Sequence, residues 1–188
     1  MTEQKKFRYP KVACSRCGDC CCIPIVPVTH KDVARIVKLA GKTANRLVRF
    51  CSSDEMSYDD ESGLWIKFKS GKYAMVLRKK KSGECIFQTA DHACAVYAAR
   101  PQTCRTFPYS VEFEDDSVKV VEKITLNKVM KCNAKKCSSI DIDTLVNNAR
   151  KESREDKAYH RRIKRWNGKF LKSDGKSRIS DFLRFIGF

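Results

Sequence analysis

No long apolar run opens the sequence: Met1-Thr-Glu-Gln-Lys-Lys-Phe-Arg-Tyr9 is polar and basic, which excludes a secretory leader or a membrane span over those residues. The expected location is therefore the cytoplasm. Histidine is scarce, at three of 188 residues, and none has the spacing of a histidine-bound hydrolase metal. No Ser/His/Asp arrangement for nucleophilic catalysis is apparent, and no low-complexity tract interrupts the chain. Acidic residues are outnumbered, 22 against 39 lysines and arginines, giving a formal charge of +17 and a pI near 9.5. That excess implies either a merely basic, soluble surface or one that meets an anionic partner: RNA, DNA, an acidic protein or an anionic membrane.

What the sequence has in quantity is cysteine, eleven in all. A reducing cytosol disfavours a disulfide framework, and an odd number leaves one thiol over in any case. Five of them fall in nine residues, Cys14-Ser-Arg-Cys17-Gly-Asp-Cys20-Cys21-Cys22, with Gly18 permitting a tight turn. Thiolates are soft ligands, so this density points to zinc or an iron-sulfur cluster before it points to packing. The Cys14, Cys17, Cys20 rhythm matches the first three ligands of a bacterial ferredoxin run, but no fourth cysteine with an adjacent proline follows. A fourth ligand must come from far along the chain, where Cys85, Cys94, Cys104, Cys132 and Cys137 stand. Loop-closure entropy grows slowly with length, so one metal can hold such distant segments and organise the fold.

The remaining chain reads as α+β: short helices and two β-hairpins, with a basic helical extension at the end. Phe7, Tyr9 and Val12 are spaced as in a short strand or extended arm. Ile23-Pro-Ile-Val-Pro-Val28 must run extended because two prolines interrupt it. Thr29 reads as an N-cap, with Val33, Ile36, Val37 and Ala40 as the apolar stripe of a helix that Gly41 ends. A second helix is expected from Thr43 to about Phe50, followed by Cys51 as a small buried residue and a polar loop from Ser52 to Gly63. Leu64 to Lys69 and Tyr73 to Arg78 form a hairpin around Ser70-Gly71-Lys72, and the run Arg78 to Lys81 reads as a solvated basic loop. Ala95 to Ala99 suggests a helical turn, and Pro101 opens another. Tyr109 to Glu114 and Val118 to Thr125 make the second hairpin.

From Asp141 the composition shifts, so residues 1–140 are expected as the cysteine-bearing domain and 141–188 as the basic extension. Arg150 to Phe188 carries 13 basic against 5 acidic residues. Trp166-Asn-Gly168 is expected to break the long helix, and Ser180 to cap a last one whose Phe182, Leu183, Phe185 and Ile186 dock on the protein's own core.

Two stretches, Cys14-x2-Cys17-Gly18-x-Cys20-Cys21 and Cys85-x8-Cys94-x-Val96-Tyr97-x2-Arg100-Pro101-x2-Cys104-Arg105-x-Phe107-Pro108, together resemble the YkgJ-type cysteine-cluster family of zinc- or iron-chelating domains. The resemblance implies metal ligands at Cys14, Cys17, Cys20, Cys21, Cys85, Cys94 and Cys104, with Cys132 and Cys137 fitting the further cysteines that often follow. Cys22 departs from the pattern, which needs only a pair. In an extended chain neighbouring side chains point to opposite faces, so Cys20 and Cys21 imply two sites, or one cluster with a further thiol beside it. Single cysteines at wide downstream spacing favour an iron-sulfur cluster over an all-cysteine zinc site. Arg100 and Arg105 read as residues standing behind the ligands, Arg105 offsetting thiolate charge, or else as ordinary surface cations. Tyr97 and Phe107 are expected to shield the site from water, and His92, two residues before Cys94, is the one histidine near enough to join it.

Three functions compete on this reading. The first is a non-catalytic metalloprotein whose basic C-terminal region, with Tyr159, Trp166 and Phe170 interleaved among cations, binds nucleic acid or a ribonucleoprotein. The second is an iron-sulfur enzyme, since similar cysteine patterns occur in flagellin lysine-N-methylases, although no glycine-rich S-adenosylmethionine loop is present. The third is metal handling or redox sensing by adjacent thiols.

Overall fold

The computed structural model describes residues 12–13, 18–23, 25–56, 65–114, 121–126, 135–136, 140–172 and 178–188. Over them the chain is α+β, with short antiparallel sheets and one long helix. Strand β1 is Val12–Ala13. Helix α1, His30–Ala40, begins on a reciprocal cap: the Thr29 hydroxyl accepts from the Asp32 N–H at 3.2 Å, and the Asp32 carboxylate accepts from the Thr29 N–H at 2.9 Å. It ends at Gly41, whose left-handed φ of 62° lets its N–H reach the Val37 carbonyl at 3.0 Å. The apolar stripe falls as expected, with Val33 and Ile36 fully buried and Val37 and Ala40 at the core margin.

The second helix is shorter than its periodicity predicts. Helix α2 spans only Ala44–Leu47, and Val48–Ser52 become strand β2. β-branched and aromatic side chains at Val48 and Phe50 suit a pleated surface, and each residue of β2 gains a partner in β4, Gly71–Leu77, from Val48 opposite Leu77 to Ser52 opposite Tyr73. The expected hairpin supplies the other edge, where β3, Ile66–Phe68, pairs with the first part of β4. Beyond β3 the same edge is taken by the extended proline segment: the Val28 N–H donates to the Met75 carbonyl at 3.1 Å and the Leu77 N–H to the Val26 carbonyl at 3.0 Å. Cys51 is fully buried as a small core residue, on a strand rather than at a helix end.

Helix α3, Gln102–Thr106, follows Pro101, and the second hairpin forms between β5, Tyr109–Phe113, and β6, Val121–Leu126. Strand β7, Lys135–Lys136, returns to pair with β1. Helix α4 then runs unbroken from Ile142 to Lys172, through the expected break. Three hydrogen bonds near 3.0 Å explain why: the Trp166 indole donates to the Lys67 carbonyl, the Asn167 side-chain oxygen accepts the Lys67 N–H, and the Asn167 amide donates to the Trp65 carbonyl. Together they outweigh the ~1 kcal/mol that Gly168 costs a helix interior.

Helix α5, Ile179–Phe185, starts one residue before the expected cap, with the Asp181 carboxylate accepting the Arg178 N–H at 2.9 Å. It docks on the protein's own core: Phe182 is fully buried, its ring edge-on to Trp166 at 5.2 Å and to Phe50 at 5.9 Å between centroids. Residues of α1, β3, β4, α4 and α5 thus share one apolar cluster, while the start of α4 covers the second hairpin through Leu145 and Val146. No helix among the described residues is long and apolar enough to cross a membrane.

Candidate metal centre

At Gly18 the backbone takes a φ of 80°, and the Cys21 N–H closes onto the Gly18 carbonyl at 2.8 Å, opening a 3-10 helix over Asp19–Cys22. This replaces the extended geometry expected for the cysteine triplet. A 3-10 turn has three residues, so adjacent side chains diverge by about 120° rather than alternate. Cys21 accordingly packs at the core margin, whereas Cys22 faces solvent with its sulfur 3.9 Å from the Gly18 carbonyl.

Two of the middle cysteines are tied to this turn, Cys85 directly and Cys94 through Gln88. The Cys85 N–H donates to the Cys21 carbonyl at 2.8 Å, joining residues 64 positions apart. Gln88 pairs with Cys94 across a short loop and sends its side-chain amide to the Gly18 carbonyl at 3.4 Å. A Cβ on residue 18 would lie 2.4 Å from that amide nitrogen, so the approach requires glycine on steric grounds as well as backbone ones. His92, at a positive φ of 63°, also stands against Gly18, with its Nδ1 3.4 Å from the Gln88 amide. Cys85 is buried, and Cys21, Cys94 and Cys104 pack at the margin of its apolar cluster.

A second clamp ties the strand preceding Cys14. The Tyr109 hydroxyl accepts from the Val12 N–H at 3.0 Å and donates to the Val12 carbonyl at 2.8 Å. The β1 to β7 ladder sets Ala13 opposite Lys135 and Val12 opposite Lys136, so the residue before Cys14 and the residue before Cys137 belong to one two-stranded ribbon.

Two lysines of the basic run are anchored rather than merely solvated. The Lys79 ammonium donates to the Cys21 carbonyl at 2.6 Å and that of Lys80 to the Gln88 carbonyl at 2.7 Å. Arg105 turns its guanidinium onto the Arg100 and Ala98 carbonyls, bracing the chain between Cys94 and Cys104, and Arg100 lies over the Tyr97 ring at 3.8 Å. Tyr97 is half exposed and so does not shield the site as expected, while Phe107 is partly buried. Cys51 lies in a separate apolar cluster, where burial pushes its thiol pKa up.

The donor set is soft, the Gly18 cradle is tight, and compensating cations stand at the backbone, which together fit a thiophilic metal or cluster. Among the described residues no three His, Cys, Asp or Glu side chains are arranged to hold an ion. Cys14, Cys17, Cys132, Cys137 and the side chain of Cys20 lie outside those residues. Gln88, Lys79 and Tyr109 were missed by sequence reasoning, since each acts through a backbone group of a remote segment. Spacing gives no signal for such contacts.

The chain belongs to the CxxCxxCC family, described as "Putative zinc- or iron-chelating domain", which matches residues 13–137. It is similar to Uncharacterized protein MJ0661 of Methanocaldococcus jannaschii, with 32% identity over 100 residues, or 53% of this chain and 45% of that protein. The chain thus spans under half the length of this curated relative. No solved structure matches it.

Proposed function

We propose that this protein holds an iron-sulfur cluster, in preference to zinc, through thiolates drawn from Cys14, Cys17, Cys20 and Cys21, from Cys85, Cys94 and Cys104, and from Cys132 and Cys137. The observation that supports this reading most is the 2.8 Å bond from the Cys85 N–H to the Cys21 carbonyl, a main-chain link between the first of the middle cysteines and the N-terminal turn. Bound there, a cluster supplies a one-electron site, and zinc supplies a redox-silent cross-link. Gly18 keeps the turn close, Gln88 positions it, and Lys79 and Lys80 offset anionic charge. Arg100 and Arg105 brace the intervening loop. Exposed Arg161, Lys164, Arg165 and Lys169 on α4 offer phosphate contacts to an anionic partner such as RNA. Base stacking does not add to this, because the rings of Tyr159 and Trp166 are buried.

Anaerobic purification with elemental analysis and a visible spectrum tests the proposal. Iron, acid-labile sulfide and a broad visible absorbance are expected; colourless protein with zinc removes the cluster, and protein without stoichiometric metal removes the whole reading. The solvent-facing Cys22 beside Cys21 favours one second reading, in which adjacent thiols pass metal on or sense oxidants. Metal that survives a strong chelator eliminates the carrier form of that alternative.

A further inference from the structure

On the side of α4 away from its basic face, a cavity of about 260 Å³ opens between the start of α1, helix α3 and the middle of α4. Its polar wall is acidic although the protein carries +17: Asp32, Glu152, Glu155 and Asp156 all line it. Two of these are already answered. Arg35 clamps both oxygens of Glu155 at 2.7 and 2.8 Å and also contacts Asp32. Glu152 receives neutral bonds only, from the Thr103 hydroxyl at 2.8 Å and the Thr106 hydroxyl at 3.0 Å. Asp156 has no hydrogen-bond partner among the described residues.

Independent of the carboxylates, two deeply buried neutral groups line the same cavity without partners. Gln102 is 2% exposed with both its amide oxygen and nitrogen unmatched, and Tyr159 is 4% exposed with an unmatched hydroxyl. Buried polar groups are normally satisfied, so orphaned ones on residues that wall a common space point to something that occupies it. The rest of the wall is apolar, formed by Val28, Met56 and Met75 among others.

We infer that this cavity binds a small organic cation: a primary ammonium carried on a short apolar body. The ammonium has three donors for Asp156, Glu152 and the Gln102 oxygen, and the hydrocarbon covers the apolar wall. The space equals roughly nine waters at ~30 Å³ each, too large for a bare ion. No three acidic, His or Cys side chains among the described residues are arranged to hold a metal. Because the overall field of the protein repels cations, ammonium binding has to be a local property of this wall. Burial pushes the Asp156 carboxyl up to about 7, with the neighbouring carboxylates adding to it, as an uncompensated anion requires. No cysteine lines the cavity, and although Cys104 shares helix α3 with Gln102 and Thr103, the test reads ammonium binding and not metal, so its failure is distinguishable from failure of the metal reading.

The test uses the full chain with n-butylammonium and n-butanol as probes, read by saturation-transfer NMR and thermal shift. Saturable n-butylammonium binding, with n-butanol at least about tenfold weaker, is expected. Asp156→Asn and Gln102→Leu should each weaken the ammonium by about tenfold, whereas Asp54→Asn, at an exposed position that does not line the cavity, should not. Equal binding of the two probes, no saturable binding of either, or tight Mg2+ binding that Asp156→Asn abolishes while n-butylammonium stays unbound would each overturn the inference.

Discussion

Asp156 and His30 lie on facing helices, and burial moves their proton affinities in opposite directions. The Asp156 carboxyl is pushed from its ordinary 3.8 up to about 7 by desolvation, then by Glu152, Asp32 and Glu155. The folded chain therefore holds a proton that the unfolded chain has lost, and the associated stability disappears as pH rises from 3.8 through 7. His30, buried and stacked on Tyr159, falls from 6.5 to about 4 through desolvation and the cations Arg162 and Lys31, against a weaker opposing pull from Asp32. Its stability is full above 6.5 and disappears as pH falls towards 4. The two slopes oppose each other between pH 4 and 6.5. Thermal unfolding across pH should show Asp156→Asn raising Tm over the parent at pH 8 but not at pH 4, and His30→Gln reducing the acid-side loss. At Phe182, fully buried among aromatic rings, truncation to Ala should cost about 3–5 kcal/mol, on the order of a 10 °C fall in Tm by calorimetry.

At the scale of elements, the clamp from Tyr109 to Val12 links the second hairpin to the strand entering the cysteine turn. Tyr109→Phe removes both hydrogen bonds at nearly constant shape, about 1 kcal/mol each. Metal release to a chelator should quicken severalfold, with little change in far-ultraviolet circular dichroism. Elements governed by local chemistry were legible in the sequence: the Thr29 cap, the Gly41 stop, both hairpins and the apolar stripe of α1. Misreadings arose where a remote partner decided. Val48 to Phe50 looked helical until β4 offered each a cross-strand partner, and Trp166-Asn-Gly168 looked like a stop until the β3 edge took up its side chains. Around the candidate site, the tight turn at Gly18 was legible from turn chemistry. The site's supports, Gln88, Lys79 and Tyr109, depend on tertiary approach and were not.

For the whole molecule, the proposed metal and the apolar core act as coupled supports, since Cys85 lies in the main core cluster while its N–H holds the Cys21 carbonyl. Removing metal with a strong chelator should lower Tm and broaden the transition. Cys85→Ser and Cys104→Ser should reduce metal per chain, and Cys51→Ser should leave that ratio unchanged. If the exposed cations of α4 meet nucleic acid, single-stranded RNA should bind with an affinity that falls steeply and linearly with log salt, as read by fluorescence anisotropy. The hydrogen bonds that carry α4 past Gly168 have a further consequence. They consume both main-chain polar groups of Lys67 on the outer rim of the three-stranded sheet. A stray β-segment from another molecule finds no free ladder at that position, so this rim of the sheet is guarded against edge-on polymerisation even when crowded.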